Sequence, residues 1–332
     1  MADVPPLMQV IAVQQPGKNS TLLIEQQPVP TPAAGQLLIQ VKAAGVNRAD
    51  LMQRQGHYPA PPGESDILGL EVAGVVVQVA TQTDEKWMGV EVFGIVAGGG
   101  YAQYALLQAN HAIKKPATWS WEQAGAAAET FLTAYQLLFT LGNLQSGNKV
   151  LLHAGASGVG TSAIQLAKLA GANVAVTVGQ PEKAAACLHL GADIAINYRQ
   201  RRFSDELAEC WPAGADIILD PVAGAYIKDN IKVLAVDGVI IVYALMGGRM
   251  IEHFDMAPLF KKRGQLLCST LRNRSNEYKA TLTASFTKAF ASHMQDGRLS
   301  PLLSEGYSWE NAQDAHNVMI NNINIGKLVL TL

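Results

Sequence analysis

The sequence predicts an α/β chain: a β-rich first third, then a doubly wound parallel sheet of six strands. Three observations carry the prediction. From residue 149 onward short apolar runs alternate with helical patterns, the first run ends in the glycine turn HAGASGVG at 153–160, and residues 1–110 hold alternating or β-branched runs instead. The length of 332 residues, at a prior of roughly 150 per domain, gives two domains.

Taken in order, QLLIQVKAAGV, EVAGVVVQVA, VEVFGIV and YAQYALLQAN read as strands, separated by loop clusters such as PTPAAG and HYPAPPGES. From Glu122, EQAGAAAETFLTAYQLLF carries apolar residues at helical spacing and reads as a helix bridging into the second domain. There KVLLH, NVAVTV, DIAINY, DIILD, GVIIVY and QLLCS are strands. Between them GTSAIQLAKLAG, PEKAAACLHLG, FSDELAEC and AYIKDNIKVLAV are helices. The last sixty residues hold a long helix, a short one and the terminal strand GKLVLTL. No repeat or low-complexity tract interrupts the pattern.

The bulk composition narrows the partners. A formal charge of −2 and a sequence pI near 6.4 lack the basic excess that supplies nucleic-acid affinity, so a small molecule is expected. Cys187, Cys210 and Cys268 are odd in number and widely spaced, which argues against a disulfide framework and a structural zinc site. No apolar run reaches the ~18–20 residues of a membrane span, and MADVPPLMQV lacks the pattern of a secretory leader. A cytoplasmic location is the expectation.

Strand, glycine turn and helix in that order make HAGASGVG a dinucleotide-binding candidate of the Rossmann type. In G-x-G-x-x-G register Gly155 and Gly160 take the first and third places and Ser157 the second. A serine there implies a slightly displaced phosphate or a hydroxyl that donates to it, while Gly158, Val159 and Gly160 offer helix N-terminal N–H groups. The plainer alternative is a tight strand-to-helix turn.

About 20 residues further on, NAD enzymes place an acid for the ribose 2′-hydroxyl. Here Val178, Gly179 and Gln180 supply none. Lys183 follows, and the next strand leaves through Tyr198 into RQRR at 199–202, so a 2′-phosphate and NADPH are expected, with Lys183 and Tyr198 as first choices. Glu182 weakens that case, and Arg199, Arg201 and Arg202 also fit a solvated loop.

AAGVNRADLMQRQGHYP, ILGLEVAGVV, HAGASGVGTSAIQLAK and NIGKLVL together resemble the zinc-free quinone oxidoreductases, of the zeta-crystallin type, within the medium-chain dehydrogenase/reductases. The likeness spans essentially the whole chain. NRADLMQRQG, FLTAY and LMGG are similar to its tumour-suppressor-inducible branch. The resemblance implies a GroES-like catalytic domain at 1–125 and 275–332, a Rossmann domain at 126–274 and an active site in the cleft they form. Where zinc-dependent relatives carry a ligating Cys and a G-H-E, this chain has Asn47 and Gly69-Leu70-Glu71, which implies no catalytic metal.

The resemblance also supplies candidate residues. Asn47 and Asp50 border the nicotinamide, either hydrogen-bonding cofactor or substrate or only holding their loop. Tyr58 offers a phenolic donor to a quinone oxygen, or stacks and shapes the pocket. Thr133 faces the nicotinamide, or is a back-bonded helical threonine. Val222, Tyr243, Leu245 and Met246 sit at cofactor-contact positions, with Met246-Gly247-Gly248 also readable as a plain turn. Ser269 to Leu271 and Asn324 complete the set, Asn324 having a turn role as its alternative. His57 and His153 read as a surface and a packed histidine.

An NADPH-dependent quinone reductase is therefore expected, since a quinone is electron-poor and gains aromaticity on reduction. A reductase of conjugated enals or enones is the alternative within enzymes. A nucleotide-binding protein with little turnover is the alternative outside them. QLLCS as an exposed edge strand, with the resemblance, implies a homodimer.

Overall fold

A computed structural model of the chain describes residues 4–332, apart from the side chain of Thr83. Residues 1–3, part of the stretch read for a leader, lie outside it. The fold divides into two compact units, 1–132 with 272–332 and 133–271.

In the first unit β1 (Leu7–Gln14) and β2 (Thr21–Pro28) form an antiparallel ribbon. The main sheet uses β3 (Gln36–Val46), β4 (Glu71–Val79), β5 (Glu91–Ile95), β6 (Tyr104–Gln108) and β7 (Ile113–Lys114). Helix α1 (Arg48–Arg54) follows β3 directly, and α2 (Trp121–Gly125) and α3 (Ala128–Tyr135) follow β7. The stretch from Glu122 is thus two helices and a π-helical turn over Gln136–Leu141, not one helix. The cause lies outside the stretch: the Glu129 N–H donates to the Glu71 carboxylate at 3.0 Å, so a side chain from β4 caps α3 where the ladder would have continued.

The second unit contains β8 (Lys149–Leu152), α4 (Gly158–Leu169), β9 (Asn173–Val178), α5 (Pro181–His189), β10 (Ile194–Asn197), α6 (Phe203–Cys210), β11 (Ala215–Asp220), α7 (Tyr226–Val233), β12 (Leu234–Val242), α8 (Ala257–Lys261) and β13 (Gln265–Cys268). All six strands are parallel in the order β10-β9-β8-β11-β12-β13, the doubly wound arrangement the alternating runs predict. Leu151, Ala175, Ile218 and Ile240 lie at the centre of its core. One helix ends early: Leu234 to Val236, read as the end of AYIKDNIKVLAV, begin β12 instead. A shift in the β11–β12 pairing and a left-handed Asp237 (φ 64°) let the strand start at Leu234 and resume at Val239.

The chain then returns to the first unit through α9 (Asn276–Gln295), β14 (Leu303–Ser308), α10 (Ala312–Ile320) and β15 (Lys327–Thr331). The completed sheet runs β14-β15-β3-β4-β5-β7, with β6 also on β3. β14 has the polar sequence LSEGYS and offers no strand signal of its own; it pairs parallel to the apolar β15. β15 lies antiparallel on β3, with Leu330 opposite Ala44, which carries Lys327 to the end of β3 where Asn47 begins α1.

Candidate active site

In the second unit the carboxyl ends of the strands bring most of the predicted cofactor residues to one edge of the sheet. Beyond β8, Ala154 is left-handed (φ 53°) and Ser157 caps α4, its Oγ accepting from the Gly160 N–H at 3.1 Å. The hydroxyl proton stays available to a phosphate. A Cβ on Gly155 would stand 2.5 Å from that of Val176, and one on Gly160 2.5 Å from the Ala154 and Gly155 carbonyls. Those glycines are needed for the turn to close on β9, and the closed turn leaves Gly158, Val159 and Gly160 as the first turn of α4.

Val222 follows β11, Tyr243 follows β12, and Ser269 to Leu271 follow β13. Asp220 fixes this edge, accepting from the Val222 and Ala223 N–H groups at 2.6 and 2.9 Å and from Asn230 Nδ2 at 2.8 Å. Because the Asn230 amide nitrogen is spent there, its oxygen accepts from His153 Nε2 at 2.7 Å, and Thr177 donates to Nδ1 at 2.9 Å. Burial lowers the pKa of His153, so it stays neutral and packed. The Gly248 N–H donates to the Leu245 carbonyl at 3.1 Å and closes a turn, Met246 and Gly247 tie that turn to the Pro221 and Val222 carbonyls at 3.0 and 2.7 Å, and the Leu245 and Met246 side chains are exposed. Ser269 Oγ is buried with no hydrogen-bond partner, a polar atom a bound ligand would satisfy. A dinucleotide therefore fits this edge by its closed glycine turn and its orphaned hydroxyl.

At the end of β9, a Cβ on Gly179 would meet the Tyr198 hydroxyl at 2.6 Å and Arg199 Nε at 3.3 Å, so the three residues form one corner. Arg201 pairs with Glu209, and Arg202 pairs with Asp229 at 2.8 Å. Arg199 makes no side-chain hydrogen bond or ion pair among the described residues. It is the arginine of the RQRR run left to meet an anion. Lys183 lies in the first turn of α5, and its charge partly offsets the burial that pushes the Cys187 thiol up to about 12.

The first unit holds a buried polar cluster that the sequence reading met only in pieces. Lys327 Nζ donates to the Val46 carbonyl at 2.8 Å and to Asn47 Oδ1 and Glu71 Oε1, both at 2.7 Å. Asn47 Nδ2 donates to Glu71 Oε1 at 3.0 Å and to the Gly45 carbonyl at 3.3 Å. Both amide protons of Asn47 are spent, so it has no donor left for a quinone oxygen; one Oδ1 lone pair remains. Asp50 accepts from the Asn47 N–H at 2.8 Å, the Gly69 N–H at 3.1 Å and the Tyr101 hydroxyl at 3.1 Å, which secures the loop and the start of α1. Burial pushes its carboxyl up to about 6 against those hydrogen bonds and the Lys327 charge.

The same network has a direction. Arg54 is always a donor and approaches His316 Nδ1 at 3.1 Å, so the proton of this histidine sits on Nε2, which faces the Tyr101 oxygen at 3.0 Å. Donors therefore point one way, from Arg54 through His316 and Tyr101 to Asp50. Burial, with the Arg54 charge, brings His316 down to about 3 and keeps it neutral.

Tyr58 lies half-buried beyond α1, with the Arg272 guanidinium 5.3 Å from its ring centroid. Arg272 is held in place by the Ala97 carbonyl at 2.7 and 3.0 Å. No group among the described residues hydrogen-bonds the Tyr58 phenol. Burial and then Glu129 raise its pKa, and Arg272 opposes them, so the phenol remains a donor. Thr133 Oγ1 forms no hydrogen bond among the described residues, whereas its neighbour Thr130 back-bonds to Ala126 at 3.3 Å. Asn324 Nδ2 donates to the Gly326 carbonyl at 2.9 Å, within a turn.

The zinc positions of the resembled family do not fit a metal here. Asn47 and Leu70 cannot replace thiolate and imidazole, and the Lys327 ammonium stands on Asn47 and Glu71, where its charge repels a cation. Among the described residues no group of three or more His, Cys, Asp and Glu could hold a metal ion. Glu129, Arg272 and Ser269's orphaned hydroxyl were given no role by sequence reasoning beyond the position of Ser269. A lone acid inside AGAAAETF was a legible signal for Glu129; Arg272 had none.

Two family models match: an alcohol dehydrogenase GroES-like domain over residues 33–117 and a zinc-binding dehydrogenase over 158–287. The quinone oxidoreductase of Homo sapiens is 30% identical, with 100% of each chain covered. The synaptic vesicle membrane protein VAT-1 homolog of Danio rerio is 29% identical over 91% of this chain, which spans 65% of that longer protein. Among solved structures, a mycobacterial quinone oxidoreductase superposes with a TM-score of 0.83 at 27% identity, covering 98% of this chain and 100% of that one.

Proposed function

This chain belongs to the medium-chain dehydrogenase/reductase family, an oxidoreductase family that uses nicotinamide cofactors, and from that premise we propose that it is a zinc-free, NADPH-dependent quinone reductase. The observation that carries the reading is the Lys327 ammonium seated on Asn47 and Glu71. A site whose ligand positions hold an amide and a leucine, with an ammonium seated against the amide, has no Lewis acid to polarise an alcohol or simple carbonyl, so its acceptor must already be electron-poor. The full-length likeness to quinone oxidoreductases supports a quinone as that acceptor.

When bound, the nicotinamide supplies a hydride. This chain's residues do the rest. The first turn of α4 and the Ser157 hydroxyl hold the pyrophosphate, and Arg199, Tyr198, Gly179 and Lys183 take the 2′-phosphate. Val222, Tyr243, Leu245, Met246, Ser269, Leu271 and Thr133 line the remainder of the cofactor. The free Tyr58 phenol orients and hydrogen-bonds the quinone oxygen as charge develops on it. Asn47 acts as a positioning residue, its amide locked by Glu71 and Lys327. The exposed β13 edge, next to an 82% exposed Phe260, is the surface for a homodimer. No helix among the described residues is long and apolar enough to cross a membrane, and the three unpaired thiols suit a reducing cytoplasm.

Arg199→Ala tests the cofactor assignment. It is expected to raise the KM for NADPH about 10- to 100-fold in quinone reduction, the value of a charge-assisted hydrogen bond, with the KM for NADH unchanged. An equal effect on both cofactors, or none on either, contradicts the 2′-phosphate corner. An enone that turns over while quinones do not would move the reading to a conjugated double-bond reductase, for which the same uncommitted phenol is suited.

A further inference from the structure

Three carboxyl groups share the polar interior of the first unit, and they are treated differently. Glu71 receives Lys327 Nζ at 2.7 Å, Asn47 Nδ2 at 3.0 Å and the Glu129 N–H at 3.0 Å. Asp50 receives the Asn47 and Gly69 N–H groups and the Tyr101 hydroxyl. The Glu129 carboxyl receives nothing: no hydrogen bond or ion pair among the described residues engages it. Its backbone nevertheless is pinned, through its own N–H to Glu71 and through the start of α3.

The cations near Glu129 are all committed elsewhere. Lys327 on β15 is bound to Glu71, Lys279 on α9 donates to the Arg272 carbonyl at 2.6 Å, and the Arg272 guanidinium is bound to Ala97. Each still feels the carboxyl electrostatically, as do Tyr58 beyond α1, Glu71 on β4 and Asp50 on α1. Burial is the largest influence, repulsion by Glu71 and Asp50 adds to it, and Lys327 and Lys279 oppose it; together they push Glu129 up to about 7. A half-buried carboxyl with a pinned backbone and no donor, close enough to the unengaged Tyr58 phenol for each to feel the other's charge, is arranged to carry a proton at neutral pH.

We propose that Glu129 is a further catalytic residue, the acid that protonates the oxygen of the reduced quinone. The inference rests on the quinone reductase reading. Tyr58 orients the oxygen but is held above its ordinary range near 10 and is a poor proton source; a carboxylic acid is a better one. The step balances as follows. The quinone gains a hydride, with two electrons, from the bound nicotinamide and becomes a hydroquinone monoanion. The Glu129 O–H bond breaks, the oxygen–hydrogen bond of the hydroquinone forms, and water restores the proton to the Glu129 carboxylate.

The test is the pH dependence of kcat for quinone reduction by the full chain, wild type against Glu129→Gln and Glu129→Asp. Wild type is expected to lose about tenfold per pH unit above roughly pH 7, as Glu129 gives up its proton. Glu129→Gln is expected to be about 100-fold slower at pH 6, with no such limb, so the two profiles meet near pH 9. Glu129→Asp keeps a limb. NADPH binding followed by fluorescence and the melting temperature establish that each variant is folded; if Glu129→Gln is not, the comparison runs on Glu129→Asp and on the solvent isotope effect of the wild type along the limb. A Glu129→Gln enzyme with wild-type rate and limb, or a wild type flat with pH and free of an isotope effect, overturns the assignment while leaving the quinone reading standing. Wild type without quinone turnover sinks both.

Discussion

Lys327→Met is expected to lower the unfolding free energy by about 3–5 kcal/mol, the largest single loss this structure predicts. The ammonium and the Glu71 carboxylate are both buried, their side chains 4% and 0% exposed, and stand 2.7 Å apart. A pair taken out of water gains little over an apolar pair of the same shape; what costs is removing one member, because the other charge is left desolvated and unmatched. Glu71 would keep only Asn47 Nδ2 and the Glu129 N–H. Lys327→Met with Glu71→Gln is therefore expected to recover most of the loss. Urea unfolding of the wild type, both single variants and the double variant checks this; a single-variant loss under 1 kcal/mol, or a double variant no better than Lys327→Met, contradicts it.

The second large effect appears in acid. His316 is held down to about 3, far below the ordinary 6.5 of an unfolded histidine. The sign follows from linkage: below 6.5 the unfolded chain takes up a proton that the folded chain refuses, so the stability contributed by neutral His316 is present above pH 6.5 and lost as pH falls toward 3. By pH 5 the loss is about 2 kcal/mol. Asp50 acts oppositely, since a carboxyl raised to about 6 favours the folded state between pH 4 and 6. A His316→Asn variant, less stable at pH 7 because it interrupts Arg54 and Tyr101, is expected to close about 2 kcal/mol of its gap to wild type by pH 5. A gap that stays constant from pH 7 to 5 would mean that His316 takes up its proton in the folded protein as readily as in the unfolded chain, and is not held down.

How much of this is written locally in the chain depends on where each cause lies. The six strand runs of the second unit and the glycine turn are short-range patterns, and β8 to β13 appear where they fall. The break after Gly125 is not legible, because the group that caps α3 is Glu71, a residue far back in the chain. The start of β12 is hidden for a similar reason, since Leu234 reads as more helix until its pairing with Ala215 is known. Among the candidate residues, Gly155, Ser157 and Gly160 form the turn their motif predicts, and Gly179 and Tyr198 meet at one corner. Choosing Arg199 over Arg201 and Arg202 needed Glu209 and Asp229, whose ion pairs no spacing announces. Asn47 shows the limit in the other direction: its side chain type suggests a donor, and only the three-dimensional arrangement reveals that both its amide protons are spent.

The most direct measurement is oxidation of NADPH by the purified, metal-stripped protein under a chelator, with an ortho-naphthoquinone, para-benzoquinone and a short enone in parallel and NADH as control. Quinone-dependent consumption that persists under the chelator and prefers NADPH is the predicted result. Tight NADPH binding with no turnover of any acceptor would contradict the account and leave a nucleotide-binding protein in its place.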